Sequence, residues 1–458
     1  MTTAEIAAPE VPPEACQRAK YELPGNLETD VYIIPVSGGA DSTSLAILLH
    51  RMFPEVDFKL VFTDTGAEDP EIYECLDKLE AYIQRPIDRV LPERDMWQLL
   101  KDYGNYLPSS QARWCTRLTK AEPFKKWLTQ FDGTQKWVFV GIRADESTRV
   151  AFTLDEAGTE MPFINLGWRR QDVFQLLKET IGIPRFYSRR SRSGCSFCPF
   201  QRRQELVGLL QETPEEFLKG AACEKLSPVD QERHPNVPDF SLESGIAGNW
   251  LSLPQPTDDD VIEGRLGQKE QTLFGEVGVF VGAEFFTDAM PGEQPFVWKQ
   301  RIVSYSNSLS GIKRQLNTRY EHLLSSAEAH DMDDWDIRHK VKFAVYYIEA
   351  DSALFDPQGT GDGSYTWHSG ESYRQIAHVV GWASRVLSAH DVQITAAQLD
   401  KSNPLSWLYE QAQSSQKALE QVKSELGRLV AMQWYQAKEP EIDDQLDERF
   451  IACAMCSL

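Results

Sequence analysis

The sequence predicts an α/β fold, a doubly wound parallel sheet, followed by a mostly helical C-terminal domain. Three apolar, β-rich runs, at 31–36, 58–62 and 137–140, each end in a glycine-containing polar motif. Residues with helical apolar spacing follow the first two runs. This alternation favours a parallel sheet with helices on both faces. Ligands of such sheets bind outside the carboxyl ends of the strands, so the polar motifs should meet at one edge.

The chain divides into four predicted regions. Residues 1–27 form a leader, and residues 28–227 hold the α/β domain with its cysteine motifs. Residues 228–264, rich in Pro, Ser and Asp, form a loop-rich junction. Residues 265–458 form the helical domain, because apolar side chains recur there at helical spacing. The residues of that spacing are Leu419, Val422, Leu426, Leu429 and Val430. We expect this domain to contact a protein partner.

Composition excludes several classes of protein. The chain has 458 residues and a formal net charge of −22, so its whole surface does not attract nucleic acid. No apolar run approaches the roughly 20 residues of a membrane helix, so we expect no membrane association. Eight cysteines, unevenly spread, do not form a secreted disulfide pattern. They are more typical of metal or redox sites in an intracellular protein, which predicts a cytoplasmic location.

The first polar motif is Ser37-Gly38-Gly39-Ala40-Asp41-Ser42-Thr43, between a predicted strand and a predicted helix. Unpaired amides at a helix N-terminus, together with the helix dipole, form an anion site. The glycines permit positive φ and close approach of a phosphate, the hydroxyls can donate, and Asp41 can act as N-cap. The Gly-Lys-Ser/Thr of a Walker loop is missing. The motif therefore predicts a phosphate site of another kind.

Two further motifs supply charges at the predicted edge. Asp64 and Thr65 follow the second strand, where a carboxylate can accept bonds from ribose hydroxyls or hold a metal ion. The third strand ends at Gly141, where glycine permits close ligand approach. It is followed by Arg143, which could neutralise phosphate charge, and by Asp145, Glu146 and Arg149.

Cysteine and arginine residues mark two more segments. Cys115 lies among cations in the segment 113–120, which suits a metal ligand, a nucleophile or a structural thiol equally. Cys195 and Cys198 form a C-x-x-C pair, typical of zinc, an iron–sulfur cluster or a redox dithiol. The strip Arg185–Arg203 around them could follow a nucleic-acid backbone, hold a small anionic nucleotide or shield an anionic cluster. The strip contains Arg185, Arg189, Arg190, Arg192, Arg202 and Arg203, with Phe186, Tyr187, Phe197 and Phe200 between them.

In this order, the motifs resemble the phosphoadenosine-phosphosulfate (PAPS) reductase-like branch of the PP-loop ATP pyrophosphatase superfamily. Within that branch they are similar to DndC-like DNA phosphorothioation proteins and to related proteins of phages and defence islands. The resemblance covers about residues 30–225 and implies an adenine nucleotide α-hydrolase-like fold. The Glu-Cys-Gly-x-His tail of true PAPS reductases is missing, and Cys453 and Cys456 could replace its thiol only by analogy.

The resemblance implies an adenosine-nucleotide pocket. Residues 37–43 would take the phosphate or sulfate end, and Lys120 and Arg143 would complete the anion clamp. The residues expected to bind the nucleotide are Ser37, Gly38, Gly39, Asp41, Ser42, Thr43, Asp64, Thr65, Gly141, Arg143 and Arg149. The residues expected to take part in catalysis are Asp41, Lys120, Arg143 and Glu146. ATP with Mg²⁺ is the expected cofactor pair.

The cysteines of DndC-like proteins hold a [4Fe–4S] cluster, and Cys115, Cys195 and Cys198 match those positions. Cys223 is the candidate fourth ligand. A three-cysteine cluster with an open iron is one alternative, and Zn²⁺ at Cys195 and Cys198 is another.

Three functions follow from these expectations. The leading hypothesis is an ATP pyrophosphatase that adenylates an acceptor and supports sulfur transfer, with a nucleic acid as one candidate acceptor in DNA modification or anti-phage defence. The second is an oxidoreductase that resembles PAPS or APS reductases. The third is a nucleotide-binding sensor or assembly subunit without turnover.

Overall fold

The computed structural model describes residues 21–104, 107–108, 113–146, 157–191, 194–198, 200–223, 278–288, 296–306, 309–349, 372–389 and 428–435. Several predicted features lie outside the described residues. They are most of the leader, the whole junction 228–264, Arg149, Arg192, Leu419, Val422, Leu426, Cys453 and Cys456.

The first unit is built on a five-stranded sheet in the order β3-β2-β1-β4-β5, and every neighbouring pair of strands is parallel. Its strands are β1 (Val31–Pro35), β2 (Lys59–Thr63), β3 (Ile87–Val90), β4 (Lys136–Phe139) and β5 (Gly158–Glu160). This topology confirms the predicted parallel α/β sheet. The short strands β3 and β5 extend it beyond the three strands that the sequence indicates.

Side chains of β1 alternate between two cores, because successive residues of a strand point to opposite faces. Ile34 packs with Leu48 in one core, and Ile33 packs with Phe124 in the other. The sheet is therefore covered on both faces, as the doubly wound fold requires. The helices of this unit are α1 (Ala40–Met52), α2 (Pro70–Ile83), α3 (Met96–Asp102), α4 (Glu122–Leu128), α5 (Pro162–Leu166), α6 (Arg170–Lys178), α7 (Arg203–Glu212) and α8 (Pro214–Cys223). Residues Thr116–Ala121 form a π-helix, and Ala144–Glu146 and Arg185–Ser188 form 3₁₀ turns.

The second unit contains a four-stranded antiparallel sheet in the order β7-β6-β8-β9. Its strands are β6 (Gly278–Asp288), β7 (Phe296–Ser306), β8 (Val341–Glu349) and β9 (Arg428–Tyr435). Its helices are α9 (Leu309–Ser325), α10 (Asp334–Lys340) and α11 (Ser372–Ala389), with a 3₁₀ turn at Ala327–His330. The described part of this unit combines helices with an antiparallel sheet that the sequence did not indicate.

Strand β9 shows why the sequence did not indicate this sheet. Leu429 and Val430 were expected on the apolar face of a helix, but both lie in the strand. Leu429 is paired with Ile348 of β8. Apolar spacing over a short segment suits either element, and the hydrogen-bonding partner strand, distant in sequence, decides between them.

The two units share one hydrophobic core. Phe197 and Phe217 of the first unit pack with Tyr305 and Tyr373 of the second in one buried cluster. The rings of Phe217 and Tyr373 are 4.9 Å apart. No helix in the described part of the chain is long and apolar enough to cross a membrane.

Candidate active site

The loop between β1 and α1 lies at the carboxyl edge of the parallel sheet. Gly38 adopts a φ of +69°, and a Cβ there would lie 2.8 Å from Cγ2 of Ile72. Both observations require glycine. The Ser37 amide donates to Oγ of Ser42 over 3.0 Å, and the two hydroxyl oxygens are also 3.0 Å apart. The predicted glycine turn is thus a closed loop with two hydroxyls at the start of α1.

Gly39 has a different role from Gly38. It is the N-cap of α1 with a φ of −80°, which any residue can adopt. A Cβ there would meet Oγ of Ser37 at 3.4 Å and the Tyr187 hydroxyl at 3.6 Å, which are ordinary contacts. Neither conformation nor crowding requires glycine, so the missing side chain keeps space between these hydroxyls. Asp41, expected as N-cap, instead lies in the first turn of α1.

Arg143 is surrounded by carboxylates. Its Nη1 lies 2.9 and 2.8 Å from the two carboxylate oxygens of Asp41, its Nε 3.0 Å from Asp145, and its Nη2 3.3 Å from Glu146. Burial lowers the pKa of Arg143, but the charges of Asp41, Glu146 and Asp145 raise it further, so the net shift is upward. The predicted anion clamp residue is therefore a fixed cation that orients Asp41.

The absence of a side chain at Gly141 lets the chain after β4 pack closely against Asp41. A Cβ at Gly141 would lie 3.0 Å from the carbonyl carbon of Asp41 and 3.1 Å from its oxygen. The end of β4 thus contacts the backbone of α1 directly, and that contact brings Arg143 to Asp41. The structure gives Gly141 a packing role where the sequence suggested ligand approach.

Side chains after β2 organise the adjacent turn. Oδ1 of Asp64 accepts from the Gly66 amide and from the Tyr73 hydroxyl, both over 2.8 Å. The Thr65 hydroxyl donates to Oε1 of Glu68 over 3.0 Å. Thr65 therefore positions a neighbouring acid. The hydroxyl of Thr43, another expected ligand, lies 3.9 Å from the thiol of Cys75.

Glu68 is a buried acid that sequence reasoning missed. Its Oε1 lies 3.3 Å from Nζ of Lys120, and its Oε2 has no hydrogen-bond partner among the described residues. The backbone of Glu68 forms an antiparallel bridge with Cys195. Burial and the Glu68 carboxylate raise the pKa of Cys195 well above its usual value, so this thiol is protonated at neutral pH. Only this long-range contact distinguishes Glu68 from the other acids after β2.

The four predicted cysteine ligands are not gathered into one site. Cys195 and Cys198 are neighbours, and the Cys198 amide donates to the Cys195 carbonyl over 3.3 Å. Cys223, at the end of α8, is buried in the core that the two units share. Among the described residues, no group of three or more Cys, His, Asp or Glu side chains is arranged to hold a metal ion. The iron–sulfur and zinc assignments at Cys115, Cys195, Cys198 and Cys223 stay predictions.

Three of the six arginines in the strip Arg185–Arg203 are buried, whereas Arg185 is exposed, so the described strip is not one continuous surface. Its contact with nucleic acid stays a prediction. Arg189, Arg190 and Arg203 are each at most 3% exposed. Arg189 forms an ion pair with buried Asp69, and Arg190 donates to the Cys195 carbonyl over 2.8 Å. Arg203 lies over the ring of Tyr305, 4.4 Å from its centroid. A carboxylate, a backbone carbonyl and an aromatic ring hold these three cations inside the fold. The partners of Arg189 and Arg203 are distant in sequence, whereas that of Arg190 is local. Phe186, Tyr187, Phe197 and Phe200 are also buried.

The first unit is similar in sequence to a known protein family and to a curated reductase. Residues 31–200 match the family model described as phosphoadenosine phosphosulfate reductase domain. An adenosine 5'-phosphosulfate reductase of Halalkalibacterium halodurans is 30% identical over 119 residues, 26% of this chain and 49% of that protein. These matches support the PAPS-reductase-like PP-loop superfamily for this segment, and with it a nucleotide-binding domain.

Two other similarities are less informative. An uncharacterized protein of Methanocaldococcus jannaschii is 28% identical over 193 residues, 40% of this chain and 39% of that protein. The chain thus spans less than half the length of these curated relatives. A solved PAPS reductase from Candida auris, in a phosphate complex, is 19% identical. It covers 33% of this chain and 72% of its own, with a TM-score of 0.27. The fold assignment rests on the sheet topology.

Proposed function

We propose that the first unit is a PP-loop enzyme that binds ATP at residues 37–43 and cleaves it between the α and β phosphates. The observation that carries the proposal is the loop itself, with Gly38 in a left-handed conformation and two hydroxyls at the N-terminus of α1. Helix N-termini of this kind favour phosphate groups. In the proposed reaction an acceptor oxygen attacks the α-phosphorus, AMP is transferred to the acceptor, and pyrophosphate leaves.

The charged groups have distinct roles in this proposal. The loop amides and the Ser37 hydroxyl bind phosphate oxygens. Arg143 holds Asp41 and exchanges part of that contact for phosphate when the nucleotide enters. Mg²⁺, which usually enters with phosphates and keeps several waters, would offset the charge of the triphosphate.

The acceptor and the sulfur source belong to the same proposal. Adenylation turns an acceptor oxygen into a good leaving group, and a sulfur nucleophile then displaces AMP, as in a DndC-like modification of nucleic acid or an anti-phage system. The raised pKa of Cys195 weighs against that thiol as the nucleophile in this conformation.

A sulfonucleotide reductase is the second candidate. The similarity to an adenosine 5'-phosphosulfate reductase favours it. Such an enzyme would release sulfite from a sulfonucleotide with a thiol reductant and would leave ATP intact.

Pyrophosphate release from ATP distinguishes the ATP pyrophosphatase from the sulfonucleotide reductase. The release is measured with Mg²⁺ and with a panel of acceptors that includes DNA. We expect release by the wild type and at least a hundred-fold loss in Asp41→Ala. Arg143 would lose the carboxylate that positions it, and losing one positioned hydrogen-bond donor typically costs that much in rate. Asp57→Ala is the matched control, because Asp57 lies in an exposed ion pair.

Other outcomes separate the remaining functions. Sulfite release from adenosine phosphosulfates without pyrophosphate release would replace the proposal with a reductase. Binding without turnover would favour a nucleotide sensor or an assembly subunit. Metal analysis and a visible spectrum after anaerobic purification test the iron–sulfur and zinc predictions independently of turnover.

A further inference from the structure

The 3₁₀ turn Arg185–Ser188 connects the phosphate loop to the second unit. Tyr187, in this turn, is 3% exposed, and its hydroxyl accepts a hydrogen bond from the Ala40 amide over 2.7 Å. Ala40 is the first residue of α1, directly after the double glycine. The hydroxyl oxygen also lies next to the space above Gly39. A residue 147 positions away from Ala40 thus completes the wall of the phosphate loop.

The Tyr187 hydroxyl is arranged as a donor to an incoming anion. Its oxygen accepts from the Ala40 amide, and among the described residues its own proton has no acceptor. Burial and the charge of Asp41 raise the pKa of Tyr187, so the phenol keeps its proton at neutral pH. A phosphate oxygen above Gly39 would supply the missing acceptor.

The second unit holds the other side of this turn. The Ser326 hydroxyl donates to the Tyr187 carbonyl over 3.0 Å, and Arg319 donates to the Ser188 carbonyl. Arg319 is itself held by Glu284 of β6, with Nε 2.7 Å from the carboxylate. The backbone of Tyr187 is therefore bound by the second unit while its hydroxyl contacts the phosphate loop.

We propose that Tyr187 is a further phosphate-binding and positioning residue of this loop, and that the second unit sets its position through Ser326 and Arg319. The inference rests on the proposed nucleotide function. It gives the second unit a role in nucleotide binding, whatever partner that unit contacts.

Tyr187→Phe tests the first part, because it removes the hydroxyl and keeps the ring that packs on Phe174 and Phe186. We expect about ten-fold weaker ATP binding, since hydrogen bonds to charged groups are worth about that much or more. Binding of adenosine, which has no phosphate, should be unchanged. Tyr82→Phe is the matched control: its hydroxyl accepts from Arg51 at the opposite end of α1. Equal ATP affinity in wild type and Tyr187→Phe would overturn the role of Tyr187.

Ser326→Ala tests the coupling between the units. Ser325 provides a close control, because both hydroxyls donate to the His322 carbonyl and only that of Ser326 also reaches Tyr187. We expect faster hydrogen exchange in residues 37–43 and about three-fold weaker ATP binding in Ser326→Ala, with no change in Ser325→Ala. Identical exchange and affinity in both variants would overturn the coupling.

Failure of the proposed function gives a different result. If the wild type binds neither ATP nor adenosine phosphosulfates, the proposed nucleotide site is wrong. The proposed role of Tyr187 is then wrong as well. If the wild type binds and the variants behave like it, only the inference about Tyr187 is wrong. If Tyr187→Phe does not fold, Ser326→Ala alone decides the coupling.

Discussion

Two clusters of ion pairs in this molecule differ in how far solvent reaches them. At the candidate active site, Arg143 contacts Asp41 and Asp145, whose side chains are 26% and 20% exposed. Between the two units, Glu284 is fully buried and is shared by Arg319 and Arg301, which are 3% and 8% exposed. Solvent-accessible carboxylates can exchange partners with a ligand. A buried pair cannot do so without a large desolvation cost.

The difference in exposure indicates that the two clusters of ion pairs have different roles. The cluster around Glu284 joins β6, β7 and α9 and holds the turn that carries Tyr187. The cluster around Arg143 joins β4 to α1 and remains open to ligand at its carboxylates. We therefore expect changes in the first cluster to act mainly on stability, and changes in the second to act mainly on binding.

Glu284→Gln should produce the largest effect on stability. It leaves Arg301 and Arg319 buried without their shared carboxylate, and we expect a loss of about 3–5 kcal/mol in the free energy of unfolding. Urea unfolding monitored by fluorescence measures the change. Asp57→Asn breaks an exposed pair and should cost less than about 1 kcal/mol. Similar losses in both variants would remove the distinction between buried and exposed pairs.

Acid should weaken the same cluster through Glu212, which forms an ion pair with Arg301. Burial raises the pKa of Glu212, but the charge of Arg301 lowers it more, to about 2, from an ordinary value of 4.5. Since the folded pKa lies below the unfolded one, the stabilisation is fully present above pH 4.5 and is lost as the pH falls through 2. The loss is on the order of 3 kcal/mol. Unfolding midpoints across this range measure it, and Glu212→Gln should flatten that part of the pH dependence. An unchanged acid slope in Glu212→Gln would contradict the assignment.

Asp145→Asn should have the smallest effect on stability. Arg143 keeps Asp41 and Glu146, so we expect a change of about 1 kcal/mol or less. ATP affinity should rise about two- to three-fold, because one fewer carboxylate competes with phosphate for Arg143. Calorimetric titration with ATP measures the affinity. A large loss of stability would mean that this cluster is as closed as the one around Glu284.

The sequence predicts well those features that depend on neighbouring residues. The order of strand, glycine turn and helix at residues 31–52 follows from local pattern, and the structure has it. The requirement for glycine at position 38 belongs to the same class, because a tight turn at a strand end sets the backbone angles. The same local rules could not distinguish Gly39, which leaves space, from Gly38, which needs its conformation.

Features that depend on long-range packing were missed or misread. The arginines near Cys195 have the composition of a basic surface, yet Arg189 and Arg203 are buried against partners that are distant in sequence, Asp69 and Tyr305. The antiparallel sheet of the second unit depends on pairing between β8 and β9, which are far apart in sequence. Glu68 is one of several acids after β2, and only its contact with Lys120 and its bridge to Cys195 set it apart.

By itself, the sequence determined the parallel sheet and the glycine turn at residues 37–43, because backbone conformation there follows from residues a few positions apart. Only the tertiary structure decided which charges are paired and buried, and that Tyr187 lies against Ala40. Burial and ion pairing depend on which surfaces meet after folding. Composition cannot predict burial or ion pairing. An arginine can bind a ligand when it is exposed, but it is part of the interior when a carboxylate or an aromatic ring covers it.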